Sequence, residues 1–328
     1  MGSDARVRRR LVVALGIVAT GQAGAAGGRV SFPQRPVTLV VPYAAGGEAD
    51  ATARRMAAAL ARRLGQPLVV ENLPGASGGL AARRVLRARP DGYTLMFATT
   101  SDMVVAPAVN AQLGYRAADF SLIAIYGRAP MALVVRTGLG VRTIDAFIEK
   151  AQRLPGQISM GTTGSQSLQA LAAQGLAHAA AVDLLHVPYP SGHQLMLGLA
   201  NQQIDSVVVP LPSALNQARQ WGDVVLGTLS TARSPARPQV PTINEGQLLR
   251  GVASEIWSGL AAPAGLMPEV AVVLHQAVQT LLMDPLFHAL RLELGDLPAP
   301  AMPAAEFAEL VRADEIRLRA IVRKTPLI

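Results

Sequence analysis

The chain of 328 residues contains no cysteine, and only 4% of its residues are aromatic and 16% charged. The absence of cysteine excludes disulfide frameworks, thiolate zinc sites, iron–sulfur clusters, cysteine nucleophiles and a lipid-modified N-terminal cysteine. The formal net charge is +8, but the basic residues are dispersed and lack interleaved aromatic residues, so no nucleic-acid partner is predicted. Hydrophobic residues make up 50% of the chain, enough for a large core in roughly two domains.

Metal and phosphate-loop signatures are also lacking. The five histidines show no metal-ligand spacing, and no Walker-type phosphate loop is present. The sequence therefore predicts no metal and no cofactor, and any site must be built from oxygen and nitrogen groups.

The N-terminal segment has the pattern of a cleavable export signal. Arg6 and Arg8 to Arg10 precede an apolar run from Leu11 to Ala19, about half of the roughly 20 residues that a membrane-spanning helix needs. Small residues follow, and Ala23-Gly24-Ala25 offers a cleavage site. We therefore predict a signal peptide at residues 1–25 and a periplasmic chain without a lipid anchor. The general secretory and twin-arginine routes both stay open.

Beyond residue 30 the hydrophobic pattern predicts two successive α/β units. Strands are predicted at 37–42, 67–71, 93–99, 133–135, 158–161, 184–187, 204–209 and 224–229, and helices at 50–64, 79–89, 144–154, 167–181, 193–199, 211–222, 270–282 and 304–323. Such alternation predicts mainly parallel sheets flanked by helices. The first domain is placed at 30–131 and 253–328, and the second at 132–252. The crossings are placed near Ala132 and Ala253, and ligands of open α/β sheets bind at the carboxyl ends of the strands.

Two strand-to-helix loops are the candidate anion-binding elements. The first, Pro42–Asp50, contains Gly46 and Gly47, and the second, Gly161–Ser167, is rich in hydroxyl groups. Free N–H groups at a helix start can bind an anion. The alternatives are that each loop is only a tight turn and that Asp50 caps its helix.

A series of segments resembles one protein family. They are Val37–Asp50, Val69–Asn72, Pro74–Ala76, Pro90–Leu95, His186–Tyr189, Pro212–Leu215, Arg233–Pro235, Val240–Thr242 and Ala262–Gly265. Their order and spacing resemble the Bug family of periplasmic solute receptors that serve tripartite tricarboxylate transporters. The resemblance implies a two-domain periplasmic-binding-protein fold of type II, the Venus-flytrap arrangement. It also implies a monomeric, non-enzymatic receptor that closes on a small carboxylate and delivers it to integral-membrane transporter subunits.

The resemblance also implies a set of ligand-binding residues that face the cleft between the domains. The first loop contributes Tyr43, Ala44, Ala45, Gly46, Gly47, Glu48 and Asp50, the second contributes Thr162, Thr163 and Gly164, and other loops contribute Asn72, Ser77, Thr99, Ser101, Tyr189 and Pro210.

Four positions depart from the family's pattern and bear on the ligand. Ala170, Ala106 and Val209 stand where the family often has a histidine, an asparagine and an acidic residue, which implies a less polar pocket. Glu48 stands where small residues are common, and its carboxylate would repel a second ligand carboxylate but pair with an ammonium group. We therefore expect a monocarboxylate or amino-acid-like ligand rather than citrate. The alternative is that Glu48 faces solvent at the helix start.

The competing class is a serine hydrolase. Gly75-Ala76-Ser77-Gly78-Gly79 matches the G-x-S-x-G elbow between a strand and a helix. A triad in chain order could use Ser77 with Asp205 or Asp223 and then His275. However, Asn72-Leu73-Pro74 separates the strand from the first glycine, whereas an elbow turns sharply from the strand end. The receptor is the favoured interpretation.

Overall fold

The computed structural model describes residues 32–324. Within them the strands are β1 (Val37–Val41), β2 (Leu68–Asn72), β3 (Thr94–Thr99), β4 (Phe120–Val135), β5 (Ser159–Thr162), β6 (Leu185–Pro188), β7 (Ser206–Pro210), β8 (Val224–Thr228), β9 (Glu255–Pro263) and β10 (Leu297–Pro298). The main strand order is β2-β1-β3-β9-β4-β7-β5-β6, and β8 and β10 also pair with β4.

The α-helices of the same residues flank this sheet. They are α1 (Glu48–Leu64), α2 (Gly79–Leu86), α3 (Ala106–Val109), α4 (Ile144–Arg153), α5 (Leu168–Ala180), α6 (Gly192–Ala200), α7 (Leu211–Trp221), α8 (Pro268–Leu282), α9 (Pro285–Glu293) and α10 (Ala304–Lys324). In α1 the fully buried residues Ala53, Met56 and Leu60 recur at helical spacing, which gives the helix one face for the core. The helix ends at Gly65, whose φ of 68° suits a left-handed cap.

One half of the sheet, the first sheet half, consists of β2, β1, β3, β9, β10 and Phe120–Pro130 of β4. Here β1 lies between β2 and β3 with all three parallel, and β9 runs antiparallel to β3 and β4. Leu39, Val40 and Val41 of β1 are fully buried, as expected of a strand covered on both faces.

The long strand β4 belongs to both halves of the sheet. It pairs with β9 as far as Pro130, and from Met131 onward it pairs with β7 and β8. The second sheet half therefore consists of Met131–Val135 with β5, β6, β7 and β8. Within it β5 lies between β6 and β7, again with all three parallel. The carboxyl ends of three parallel strands thus form one edge in each half.

The predicted α/β alternation is confirmed, but several elements differ. The strand predicted at 133–135 is the end of β4, which extends over sixteen residues. The strands β9 and β10 and the helices α3 and α9 were not predicted, and α1 begins at Glu48 rather than at Asp50. The predicted signal peptide lies outside the described residues, and the predicted domain boundaries stay a prediction. Among the described helices none alone has the length and apolar character of a membrane span, although α8 and α9 reach them together across a 69° bend.

Candidate functional site

The loop after β1 is held by the carboxylate of Asp50. Asp50 is only 4% exposed, and its carboxylate accepts hydrogen bonds from the Gly46 N–H at 3.0 Å, from Arg54 Nε at 3.0 Å and from Asn72 Nδ2 at 2.9 Å. Asn72 Nδ2 also donates to the Tyr43 carbonyl at 3.0 Å. Burial raises the pKa of Asp50, but these donors outweigh it and hold the pKa below its usual value.

Asp50 is therefore not the helix cap that the sequence suggested. The N-cap of α1 is Gly47, which has no side chain to cap the first turn, and Asp50 lies inside that turn and accepts from the preceding loop. The first N–H groups of α1 consequently lack a side-chain cap at the carboxyl edge of the first sheet half.

The carboxylate of Glu48 is bound within its own helix. It accepts from Thr52 Oγ1 at 3.1 Å and forms an ion pair with Arg55. Its charge is therefore compensated by α1, and a ligand ammonium group would have to compete with Arg55 for it.

A buried polar network lies at the carboxyl end of β3. Asp102 is 1% exposed and accepts from Thr99 Oγ1 at 2.6 Å, from the Thr99 N–H at 3.0 Å and from the Tyr43 hydroxyl at 3.0 Å. The Tyr43 hydroxyl also lies 2.7 Å from Thr99 Oγ1, and the Ser101 N–H donates to that oxygen at 3.2 Å. Burial raises the pKa of Asp102 to about 6, although these donors act in the opposite direction.

Asp102 was missed by the sequence analysis, although a signal existed. It stands between the apolar segments Met96–Ala98 and Met103–Val105, where a carboxylate needs partners if it is buried. It also lies in a π-helical turn over Ser101–Val105, a feature that often occurs at functional sites.

The loop after β5 meets the end of β3. Ser167 caps α5 by accepting from the Ala170 N–H at 3.2 Å, and its hydroxyl donates to the Gly164 carbonyl at 2.8 Å. The Leu168 N–H donates to Ser101 Oγ at 3.2 Å. Ser101 follows β3 of the first sheet half, whereas Leu168 is the first residue of α5, which follows β5 of the second sheet half. This bond therefore joins the carboxyl edge of the first sheet half to the start of α5.

Five of the predicted ligand-binding residues end or follow strands of the second sheet half. Thr162 and Pro210 are the last residues of β5 and β7, and Thr162 is buried. Thr163 and Gly164 follow Thr162, and both are half-buried. The ring of Tyr189 packs on Gly198 of α6, where an added side chain would overlap its hydroxyl.

Ser77 lies in an unusual loop. Four successive residues, from Gly75 to Gly78, have positive φ, and Ser77 itself is exposed with a φ of 51°. The loop approaches Asp102 closely, because a Cβ added to Gly78 would lie 2.6 Å from Asp102 Cβ.

Two alanines of the first loop lie between Tyr43 and Gly46. Ala44 is half-buried and Ala45 is exposed. Their side chains carry no polar atom, so only their main chain could bind an anion.

The hydrolase triad does not assemble around Ser77. His275 Nδ1 lies 2.8 Å from the Ile123 carbonyl oxygen. Asp205 accepts from Ser159 and Arg136, and Asp223 accepts from Gln217. Each candidate partner is thus bound elsewhere, and the serine hydrolase interpretation is not supported.

A buried arginine lies at the same level of the sheet and was also not predicted. Arg291 is 1% exposed, lies 4.1 Å from the Tyr126 ring centroid and is 3.0 Å from Asp296 Oδ2. Its Nη2 occupies the space that a side chain at Gly127 would fill. Gly127 pairs with Ser258 of β9, which in turn pairs with Thr99. The cluster therefore borders the same edge as the Asp102 network.

The chain is similar to known proteins in both sequence and fold. The model of the tripartite tricarboxylate transporter family receptor, TctC, matches residues 52–327. The chain belongs to this receptor family. Its members are solute-binding receptors that work with transporter subunits, and the predicted Bug-family resemblance is confirmed.

Three solved structures agree with the receptor fold. The structure of Rpa4515 from R. palustris with adipate has a TM-score of 0.86 and 27% identity, covering 90% of this chain and 98% of that one. The periplasmic binding protein BugD has a TM-score of 0.83 and 28% identity, over 90% and 99% of the two chains. MatC from Rhodopseudomonas palustris with bound malate has a TM-score of 0.81 and 29% identity, over 89% and 100%. The predicted periplasmic-binding-protein fold is therefore confirmed.

Proposed function

We propose that this receptor binds a small carboxylate between the carboxyl edges of its two sheet halves. The observation that carries the proposal is the hydrogen bond from the Leu168 N–H to Ser101 Oγ, because it joins the first sheet half to the hydroxyl-rich second loop. Adipate and malate, the ligands of two relatives, are both carboxylates. Ligands of such sheets bind at this edge.

The donors for the carboxylate are those of the two loops. The first turn of α1 has no side-chain cap at Gly47, so its N–H groups can donate to an anion. Gly164 and Thr163 supply a half-buried main chain and hydroxyl on the opposite side. Ala106, Ala170 and Val209 are buried apolar residues near this edge, which favours a less polar ligand, such as a monocarboxylate, over citrate.

Closure of two lobes would complete the site. The lobes are residues 30–131 with 253–328 and residues 132–252, and the partner change of β4 at Met131 supports a crossing there. A ligand that contacts both lobes only when they are closed shifts the equilibrium toward the closed form. The mature receptor works as a periplasmic monomer after removal of residues 1–25. It delivers its ligand unchanged to the membrane subunits and catalyses no reaction.

Thermal-shift screening of residues 26–328 tests this function. Monocarboxylates, dicarboxylates, tricarboxylates, amino acids and aromatic acids are screened beside sugars and metal ions. A ligand present at about 100 times its Kd stabilises the folded state by about 2.7 kcal/mol, and we expect such a shift from at least one small carboxylate or amino acid. Stabilisation by sugars or metal ions alone, or turnover of a bound acid, would contradict the proposal.

Replacement of Glu48 by glutamine is expected to leave ligand affinity unchanged. The Glu48 carboxylate is paired with Arg55 and accepts from Thr52, so its charge is compensated before a ligand arrives. The partly exposed ion pair contributes about 0–1 kcal/mol to stability. Calorimetric titration of wild type and Glu48→Gln with the acids found by screening provides the measurement. A weaker affinity for amino acids alone would instead assign Glu48 to the ligand's ammonium group.

A further inference from the structure

We propose that Asp102 sets the hydrogen-bond polarity of the binding site, so that the ligand must carry a hydroxyl or ammonium donor beside its carboxylate. This inference rests on the proposed carboxylate function. It follows from the number of protons that the Asp102 network can supply and from the directions in which they are donated.

The hydroxyl protons of the network are all directed inward. The ionised carboxylate of Asp102 can only accept hydrogen bonds, and its 2.6 Å distance to Thr99 Oγ1 is that of a hydroxyl donating to a charged oxygen. Thr99 therefore donates its one hydroxyl proton to Asp102. The Tyr43 proton is donated either to Asp102 at 3.0 Å or to Thr99 Oγ1 at 2.7 Å. In both arrangements neither hydroxyl can donate to a ligand.

The charge states support this direction of donation. Burial raises the pKa of Asp102 only to about 6, so the carboxyl group is ionised at pH 8. Burial and the nearby Asp102 charge raise the pKa of Tyr43 well above its usual value, so the phenol keeps its proton. The charged acceptor and the neutral donors are therefore the stable state at pH 8.

The position of Asp102 is fixed from both sides of its main chain. The Tyr115 hydroxyl donates to the Asp102 carbonyl at 2.6 Å. On the other side Gly78, with a φ of 92°, approaches so closely that an added Cβ would lie 2.6 Å from Asp102 Cβ. The side chain is thus held in the network by packing as well as by hydrogen bonds.

The Tyr43 hydroxyl oxygen and Ser101 Oγ then offer a ligand different hydrogen-bonding roles. The Tyr43 oxygen retains lone pairs and offers only an acceptor. Ser101 Oγ accepts from the Leu168 N–H at 3.2 Å, and its one proton can be donated either to the Tyr43 oxygen or to a ligand carboxylate, but not to both. A 2-hydroxy or 2-amino acid donates to the Tyr43 oxygen itself and leaves the Ser101 proton for its carboxylate. An unsubstituted acid leaves either the Tyr43 oxygen or its own carboxylate without the Ser101 donor, which is unfavourable in a buried site.

Matched ligand pairs test the inference in wild type and Asp102→Asn. The pairs are L-malate with succinate, L-lactate with propionate and L-alanine with propionate, titrated calorimetrically at pH 8. We expect wild type to bind the substituted member of at least one pair about tenfold or more tightly, which corresponds to one hydrogen bond. The side-chain amide introduced by Asp102→Asn can donate to Thr99 Oγ1 or to the Tyr43 oxygen and release their protons, so the preference should disappear or reverse.

Two further variants separate polarity from structural damage. Asp205 accepts from the Ser159 N–H at 2.9 Å and from Ser159 Oγ at 2.8 Å, the same pattern as Asp102, but at the amino end of β5. Asp205→Asn should therefore leave the ligand preference unchanged. Tyr43→Phe removes the acceptor oxygen but leaves Asp102 its two donors from Thr99, and it should abolish the preference.

The outcomes distinguish the inference from the function on which it rests. If wild type binds no carboxylate or amino acid, the proposed function fails and the inference fails with it. If wild type binds unsubstituted acids as tightly as substituted ones, the function stands and the polarity inference is overturned. The same holds if folded Asp102→Asn keeps the wild-type preference, or if Asp205→Asn changes it equally.

Discussion

Replacing Arg291 by methionine is expected to lower the free energy of unfolding by about 3–5 kcal/mol at pH 8, the usual loss when one partner of a buried ion pair is removed. Arg291 is 1% exposed and Asp296 8% exposed, and the pair is separated by 3.0 Å. Without the guanidinium the buried Asp296 charge would lose the cation that lowers its pKa most, and Arg55, which also lowers it, is itself paired with Glu48. Chemical denaturation of both proteins measures the difference.

The loss should depend on pH with a defined sign. Burial raises the pKa of Asp296 to about 6 even though Arg291 lowers it, so the pKa should rise further in Arg291→Met. A carboxyl group whose folded-state pKa is raised stabilises the fold most when protonated, below its unfolded pKa of about 3.9. That stabilisation is lost as the pH increases through the folded-state pKa. Arg291→Met should therefore be less damaging at pH 5 than at pH 8.

Two variants serve as controls for this prediction. Adding Asp296→Asn to Arg291→Met removes the unpaired charge and should recover a large share of the lost stability. Arg312→Met removes an exposed arginine paired with Glu309 and should change stability by no more than about 1 kcal/mol. Equal losses of unfolding free energy in Arg291→Met and Arg312→Met would show that the buried ion pair stabilises the fold no more than the exposed one.

Replacing Asp50 by alanine is expected to destabilise the protein by about 2–3 kcal/mol, because hydrogen bonds to a charged group are among the stronger ones. The change leaves the Gly46 N–H, Asn72 Nδ2 and Arg54 without their shared acceptor. Because Gly46 precedes the uncapped start of α1, we also expect the affinity for the ligand to fall about tenfold or more. Denaturation and calorimetric titration measure the two effects.

Asp50→Asn provides a test by pH, and Asp145→Ala a control by position. The pKa of Asp50 is lowered in the folded state, so its stabilisation is present above the unfolded pKa and is lost as the pH falls through the folded-state pKa. Wild type and Asp50→Asn should thus converge in acid. Asp145 also accepts main-chain N–H bonds, from Gln247 and Leu248, but outside the proposed site. Asp145→Ala should not weaken ligand binding, and a loss as large as that of Asp50→Ala would contradict the role of Asp50.

The local hydrophobic pattern predicts those elements in which the spacing of apolar residues marks the buried face. The apolar run at the end of β1 and the helical spacing of Ala53, Met56 and Leu60 show which faces are covered, and both were predicted. The strand β9 was missed because Glu255, Ser258 and Gly259 interrupt its apolar pattern. The helix α9 was missed because it reverses the usual pattern, with Leu286 and Leu290 exposed and Arg291 buried. The local sequence does not show that Glu255–Pro263 is a strand, because β9 is defined by its pairing with β3 and β4.

From the order of residues alone follow the α/β alternation, the receptor family and most of the two loops, because hydrophobic periodicity and short-range turn chemistry are local properties. The roles of Asp102 and Arg291 depend instead on partners distant in the chain, such as Tyr43 for Asp102 and Tyr126 for Arg291. Such a charge becomes interpretable only when folding has removed water from it and brought its donors or its aromatic neighbour into contact. The meeting of Ser101 with Leu168 likewise arises from the packing of two sheet halves and not from any local pattern.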